Sequence, residues 1–271
     1  MEGLHRSEVM LAAVAFVGFA IAAAVYFVAL GAKWRGIAWG AFGLTAVGLV
    51  LLTIAVVLRG VQQGHLPFSG GYDFALCFAW GIVAAQLGVE LAFKRLGVGA
   101  VALPIAVFIY LWGRQYGAEV EVGLMAALKN PFWLTVHVIT AIVAYGVLAV
   151  SAGTAVLQLL SGWLRASWLP EADWLDMATY KVIAFGFPFL TLVIITGAVW
   201  AETAWGRPWG WDQKETASLI AWFLYAVYLH VRLLRGWKGA GTAAFALVGF
   251  AGVLFAYIAP NFLGGLHSYG Q

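Results

Sequence analysis

Residues 132–160 read FWLTVHVITAIVAYGVLAVSAGTAVLQLL, and no Asp, Glu, Lys or Arg interrupts them. A hydrocarbon core about 30 Å thick is crossed by about 20 helical residues rising about 1.5 Å each, so this run is long enough to span a bilayer with turns to spare. Lipid offers no partner to a backbone N–H or C=O, and a lone spanning segment must therefore satisfy its own hydrogen bonds as a helix. The reading of this stretch settles the solvent: the chain lives in a membrane.

Working outward, further apolar runs lie at residues 8–30, 37–58, 73–93, 98–112, 182–201, 216–234 and 242–258. Residues 98–112 are the shortest and carry Pro104, which a membrane helix tolerates when neighbours satisfy the freed carbonyl. The first run exceeds the 7–15 residues of a signal-peptide core and is read as a span. The expected architecture is all-α, a polytopic membrane helical bundle of about eight transmembrane helices. No repeat or long linker divides it, so residues 1–271 are read as a single integral-membrane domain.

Composition agrees. The chain is 63% hydrophobic and only 10% charged, with a mean hydropathy of +0.91, against about a quarter charged in soluble domains. The net charge of +3 reflects topology, and nothing in its distribution resembles a nucleic-acid surface. Lys33, Arg35, Lys94, Arg95, Arg165, Lys181, Arg232, Arg235 and Lys238 fall at the first, third, fifth and seventh connections. Arg6, Arg59, Arg114, Lys129, Arg207 and Lys214 fall on the other side, and the tail after Ile258 has no basic residue. By the positive-inside rule both termini lie outside. The longer connections (59–72, 113–131, 202–215) and the tail 259–271 share that outer side, which is the expected working surface. Cys77 is the single cysteine, so any thiol chemistry uses a partner's thiols. Within the connection 161–181, the apolar spacing of Trp174, Leu175, Ala178 and Val182 suggests a helix lying in the inner interface, to which no chemistry attaches.

Residues 205–215, WGRPWGWDQKE, set three tryptophans beside four polar positions. Asp212 with Glu215 three residues later has the spacing of a capping box opening the seventh span. Trp200, Trp205, Trp209 and Trp211, four of the chain's fourteen tryptophans, exceed what an interfacial belt needs and suit a platform for a flat apolar ligand. Arg207 and Lys214 are placed to meet acidic groups of such a ligand. Of five histidines, His65, His137 and His267 fall on the outer side. His230 falls eighteen residues after Asp212, about 27 Å along a helix and hence at the inner edge. His5 is read as a bystander. Outer imidazoles, an aromatic platform and cations suit haem, a flat ring with two propionates and an iron that takes axial imidazole, with an unspecified amphipathic ligand as the alternative.

The stretch VWAETAWGRPWGWDQKETASLIAWFLYAVYLH (199–230) resembles the tryptophan-rich WWD motif of the cytochrome c assembly superfamily. GFPFLTLVIITGAVWAETAWG (186–206), NFLGGLHSYG (261–270), HLPFSGGYD (65–73) and FWLTVHVITAIVAYG (132–146) are similar to its CcsA/ResC branch, over about residues 59–271. The resemblance implies that haem b is moved to the outer face and presented for thioether attachment to the C-x-x-C-H thiols of apocytochrome c. His137 and His267 would be external axial ligands around a site formed by Trp205, Trp209, Trp211, Arg207 and Asp212, with His65 nearby in the first-loop motif. His230 would ligate haem in the membrane, opposite a ligand from a CcsB/ResB-like partner. Thiol-reducing proteins would act indirectly, and the chain would be a haem lyase component of the bacterial plasma membrane or, alternatively, the thylakoid. A CcmC-like haem delivery protein without ligation activity, or a scaffold, are the other classes. Gln213 replaces the family's usual Pro, and Asn130 and Pro131 alter the approach to His137. Gly70 and Asp73 replace Asn and Glu in the first-loop motif, which weakens any specific polar role there.

Overall fold

The computed structural model describes residues 2–68, 70–118 and 131–258. These form eight α-helices: α1 (Glu2–Ala32), α2 (Arg35–Gln63), α3 (Gly71–Phe93), α4 (Gly99–Gly113), α5 (Pro131–Leu164), α6 (Ala172–Trp205), α7 (Gln213–Arg235) and α8 (Ala240–Ile258). A single 3-10 turn, Arg114–Tyr116, follows α4. Seven of the eight are long and apolar enough to cross a membrane, and the protein is a multi-pass integral membrane protein.

The exception is α4. Its 15 residues extend only about 22 Å. The run read at 98–112 agrees with it to within a residue, and the turn that precedes α4 sets where the helix begins. Glu90 of α3 is buried, and its Oε1 accepts the N–H groups of Gly97 and Gly99 at 2.8 and 3.1 Å. A carboxylate on one helix thus caps the start of the next, meeting free amides and the positive end of the helix dipole. At the other end Gly113 lies against Ala75, where an added Cβ would come within 2.1 Å of the alanine's own. α4 therefore runs beside α3 between the levels of residues 90 and 75, and still returns the chain to the far end.

Helix ends alternate between two faces of the bundle. The connections α1–α2, α3–α4, α5–α6 and α7–α8 gather at one, called here the basic end. The other carries the loop 206–212 and is called the tryptophan end. Lipid tails are as apolar as Leu, so small residues and close approach hold such helices together rather than hydrophobic exclusion. Gly81 of α3 and Gly146 of α5 illustrate this: a Cβ on Gly146 would lie 2.5 Å from the carbonyl of Gly81. Phe19 of α1 fills the space left by Gly48 of α2 in the same way.

Each end is tied by a buried polar cluster. At the tryptophan end, Arg59 Nε donates to Asp73 Oδ1 at 2.7 Å, and Arg59 NH1 donates to the Ala118 carbonyl at 2.6 Å. Glu8 Oε2 lies 3.6 Å from the same guanidinium, and Glu8 Oε1 accepts from Tyr72 Oη at 3.1 Å. Asp73 thus has a polar role within the fold, meeting an arginine from α2. At the basic end, Asp176 accepts from Arg232, from the Gly239 N–H at 2.9 Å and from Gln158 at 3.1 Å. That cluster corrects the interfacial helix expected within residues 161–181. The segment is the first part of a continuous α6, held inside the bundle because α5, α7 and the α7–α8 turn supply partners for its carboxylate.

Candidate functional site

The loop 206–212 is set by its two flanking helices. α6 ends in Gly206 with φ of 71°, a left-handed cap that glycine adopts without strain. α7 opens on the capping box read from the sequence: Asp212 Oδ1 accepts the Glu215 N–H at 2.8 Å, and Glu215 Oε2 accepts the Asp212 N–H at 3.2 Å. Glu215 also accepts the Gly210 N–H at 2.7 Å, so one carboxylate fixes both the helix start and the turn before it. Trp211 takes a left-handed φ of 58° within this clamp.

His137 is presented from α5 toward α6. Its Nδ1 lies 3.1 Å from the Val193 carbonyl. A carbonyl only accepts, so Nδ1 carries the proton and the lone pair sits on Nε2, the tautomer suited to a metal ligand. The close approach depends on Gly197, where a Cβ would lie 2.9 Å from His137 Cε1. One turn on, the Trp200 ring lies nearly parallel to the imidazole, 6.0 Å away and 6° from coplanar. Trp205 packs edge-on against Trp200 at 4.8 Å, and Phe68, Leu134 and Val138 complete the cluster behind them.

In front lies a small cavity of about 40 Å³, lined by His137, Trp200, Trp209, Lys214, Tyr145 and Ser218 among others. Of the tryptophans expected to form the platform, Trp209 lines it directly and Trp205 supports it from behind. Trp211 is 70% exposed and turned away. Arg207 is exposed and folds over Gly210, where a Cβ would come within 2.8 Å of its guanidinium carbon. Lys214, half-buried, lies 5.5 Å from the Phe74 ring centroid and is the cation beside His137. Asp212 is engaged in the cap. His65 follows the left-handed Gly64, and its Nδ1 donates to the Leu66 carbonyl at 2.8 Å. His267 lies outside the described residues. His230 is exposed on α7, at the basic end and away from this cavity. Gly197, Tyr145 and Ser218 were missed in the sequence because a lining residue on a long apolar helix carries no local signal.

The donor set fits haem: an imidazole of fixed tautomer, flat aromatic walls, one cation and a glycine that makes room. A family model described as Cytochrome C assembly protein matches residues 69–267. The chain is 33% identical to the cytochrome c biogenesis protein CcsA of Guillardia theta, covering 88% of each chain. It is 39% identical to CcsA of a Synechococcus species over 84% of this chain and 85% of the relative. Against CcsA of Gloeobacter violaceus the identity is 31%, over 97% and 96%. Among solved structures it resembles the cytochrome c haem lyase CcmF with a TM-score of 0.66 at 20% identity. That match covers 94% of this chain and 46% of CcmF, so the chain spans about half the length of the protein whose fold it shares.

Proposed function

The chain belongs to the cytochrome c assembly family, and from that premise we propose that it holds haem at the tryptophan end and presents it to apocytochrome c outside the membrane. His137 carries the reading: its imidazole is held by the Val193 carbonyl in the metal-binding tautomer, on the wall of an aromatic cavity that also holds a lysine.

His137 Nε2 is one axial ligand of the haem iron, and His267 the other. Eight residues lie between Ile258 and His267, a stretch that can span up to about 30 Å. Trp200 and Trp209 flank the ring, Trp205 buttresses them, and Lys214 meets a propionate. Arg207, Trp211 and His65 stand at the rim, and Asp212 acts by holding Trp209 in place through the cap. The thiols of the apocytochrome C-x-x-C-H segment add across the haem vinyl groups. This chain contributes position and the protection of a filled coordination sphere, which makes it a haem lyase component. At the basic end, exposed His230 offers an axial ligand sideways on the surface of α7, as a site shared with a CcsB/ResB-like partner requires. On this reading the tryptophan end and both termini face outward, and the host is a bacterial plasma membrane or a thylakoid.

The test is the absorption spectrum of the purified protein with and without its partner. A Soret band that His137→Ala abolishes supports the assignment, and colourless protein in both preparations overturns it. A haem-loaded complex that yields no holocytochrome from reduced apocytochrome c would mark a delivery protein instead.

A further inference from the structure

At the basic end, remote from the tryptophan loop, the connections α1–α2, α3–α4 and α5–α6 surround a second cavity of about 530 Å³. Its rim carries Lys33, Arg35, Lys94 and Arg95, and Trp34 and Trp168 stand among them. Glu171 is the one carboxylate facing them from the surrounding connections. Tyr26, Ala29 and Leu30 form an apolar floor, and Trp39 stands half exposed at the mouth. Among the described residues no ion pair engages any of the four cations. Arg95 leans on the Trp174 ring, 4.9 Å from its centroid.

The backbone fixes the position of two of these cations. Lys33 and Lys94 end α1 and α3 in the left-handed region, with φ of 51° and 52°. Glycine takes this cap without penalty, and the chain uses it so at Gly64, Gly206 and Gly236. At two of the helix ends that rim the cavity it accepts a strained cap to place an ammonium group there. Arg165 ends α5 in the same way with φ of 48° outside the cavity, so the caps fix where two of the cations stand and the case for a ligand rests on the charge and shape of the cavity.

We propose that this cavity binds the headgroup of an anionic phospholipid, its phosphodiester between Lys33, Lys94 and the two arginines and an acyl chain against the apolar floor. Four cations against Glu171 and, behind the floor, the buried Glu90 that bonds Tyr26 and Gly97 leave the excess positive charge a phosphodiester needs, and basic pockets between membrane helices are suited to such headgroups. The cavity has no histidine on its walls, which sets it apart from the haem site. The inference does not rest on the haem reading, and the sidedness proposed above places the cavity on the cytoplasmic leaflet, where anionic lipid concentrates.

The experiment uses the full chain, purified and stripped of lipid in neutral detergent. Phosphatidylglycerol, phosphatidylcholine, inorganic phosphate and haem are titrated separately while thermal unfolding is followed and lipid binding is counted by native mass spectrometry. Phosphatidylglycerol is expected to bind and raise the midpoint, and phosphatidylcholine to do neither. In a K33G/K94G double variant the lipid-free midpoint should rise, because glycine relieves both caps, while affinity for phosphatidylglycerol falls about 25-fold, roughly fivefold per cation removed. An R235Q/K238Q variant, which removes cations of the same end outside the cavity, should bind as the parent does. Equal binding by K33G/K94G, or an equal loss in R235Q/K238Q, overturns the proposal in favour of diffuse surface charge. Full competition by inorganic phosphate at the lipid's own concentration would make this a simple anion site, and loss of haem binding without loss of lipid binding would make it a porphyrin site. Either result overturns the lipid assignment.

Discussion

His137 shows how much one hydrogen bond decides. With Nδ1 committed to the Val193 carbonyl, only Nε2 has a lone pair to give, and the ring cannot turn without giving up that hydrogen bond. His137→Gly should abolish the Soret band of the purified protein, and millimolar imidazole should restore it, since the cavity remains and only the tethered ligand is gone. Gly197→Val presses from the other side. Its Cβ would start 2.9 Å from the imidazole, so the ring must shift, and a fall in haem occupancy of tenfold or more is expected with the fold retained, as gel filtration would show. His137 was legible in the sequence as an outer imidazole on an apolar helix. Gly197 was not, because its effect depends on which side of α6 meets α5. Lys214 and Arg207 read alike as cations beside tryptophans, yet their backbones point them differently: Lys214 in the first turn of α7 faces Phe74, and Arg207 in the loop folds outward over Gly210.

At the scale of elements, the start of α7 was the most legible feature, because a capping box is a contact between residues three apart and needs no tertiary information. Its reach was longer than expected: Glu215 also holds the Gly210 N–H, and so governs where Trp209 stands. Glu215→Ala should lower stability by about 1 kcal/mol, the usual cost of a lost cap, read as a lowered thermal midpoint. It should weaken haem retention more than Asp212→Ala, which leaves the acceptor of the Gly210 N–H in place. The helices themselves were legible because lipid permits little else, and their centres agree with the apolar runs. Their ends were not, wherever a polar residue found partners inside the bundle. Asp176 lets α6 begin well before the apolar run, with partners on segments whose proximity only the folded chain creates, whereas α4 kept the bounds read from the sequence.

For the molecule as a whole, Glu8, Arg59 and Asp73 tie α1, α2 and α3 together, and Arg59 also holds the Ala118 carbonyl ahead of the connection to α5. As a basic residue of an outer connection Arg59 weighs against the orientation read from charge counting. With its charge met by two buried carboxylates it carries little weight on either side. Arg59→Leu leaves those carboxylates without a counter-charge and should cost about 3–5 kcal/mol, seen as loss of the monodisperse peak in fluorescence-detected gel filtration. Replacing Glu8, Arg59 and Asp73 together by leucine should recover much of that loss. The glycine pair Gly81 and Gly146 has a consequence of another kind. Where two helices touch backbone to backbone, neither slides nor rolls past the other without collision, so α3 and α5 form one rigid plate and His137 rides on it as a fixed post. α6 is tied to the same plate through the contact between His137 Nδ1 and the Val193 carbonyl, so any breathing that admits a ligand or lets a product go should belong to the loop 206–212, which carries Trp209 toward or away from a histidine that stays still.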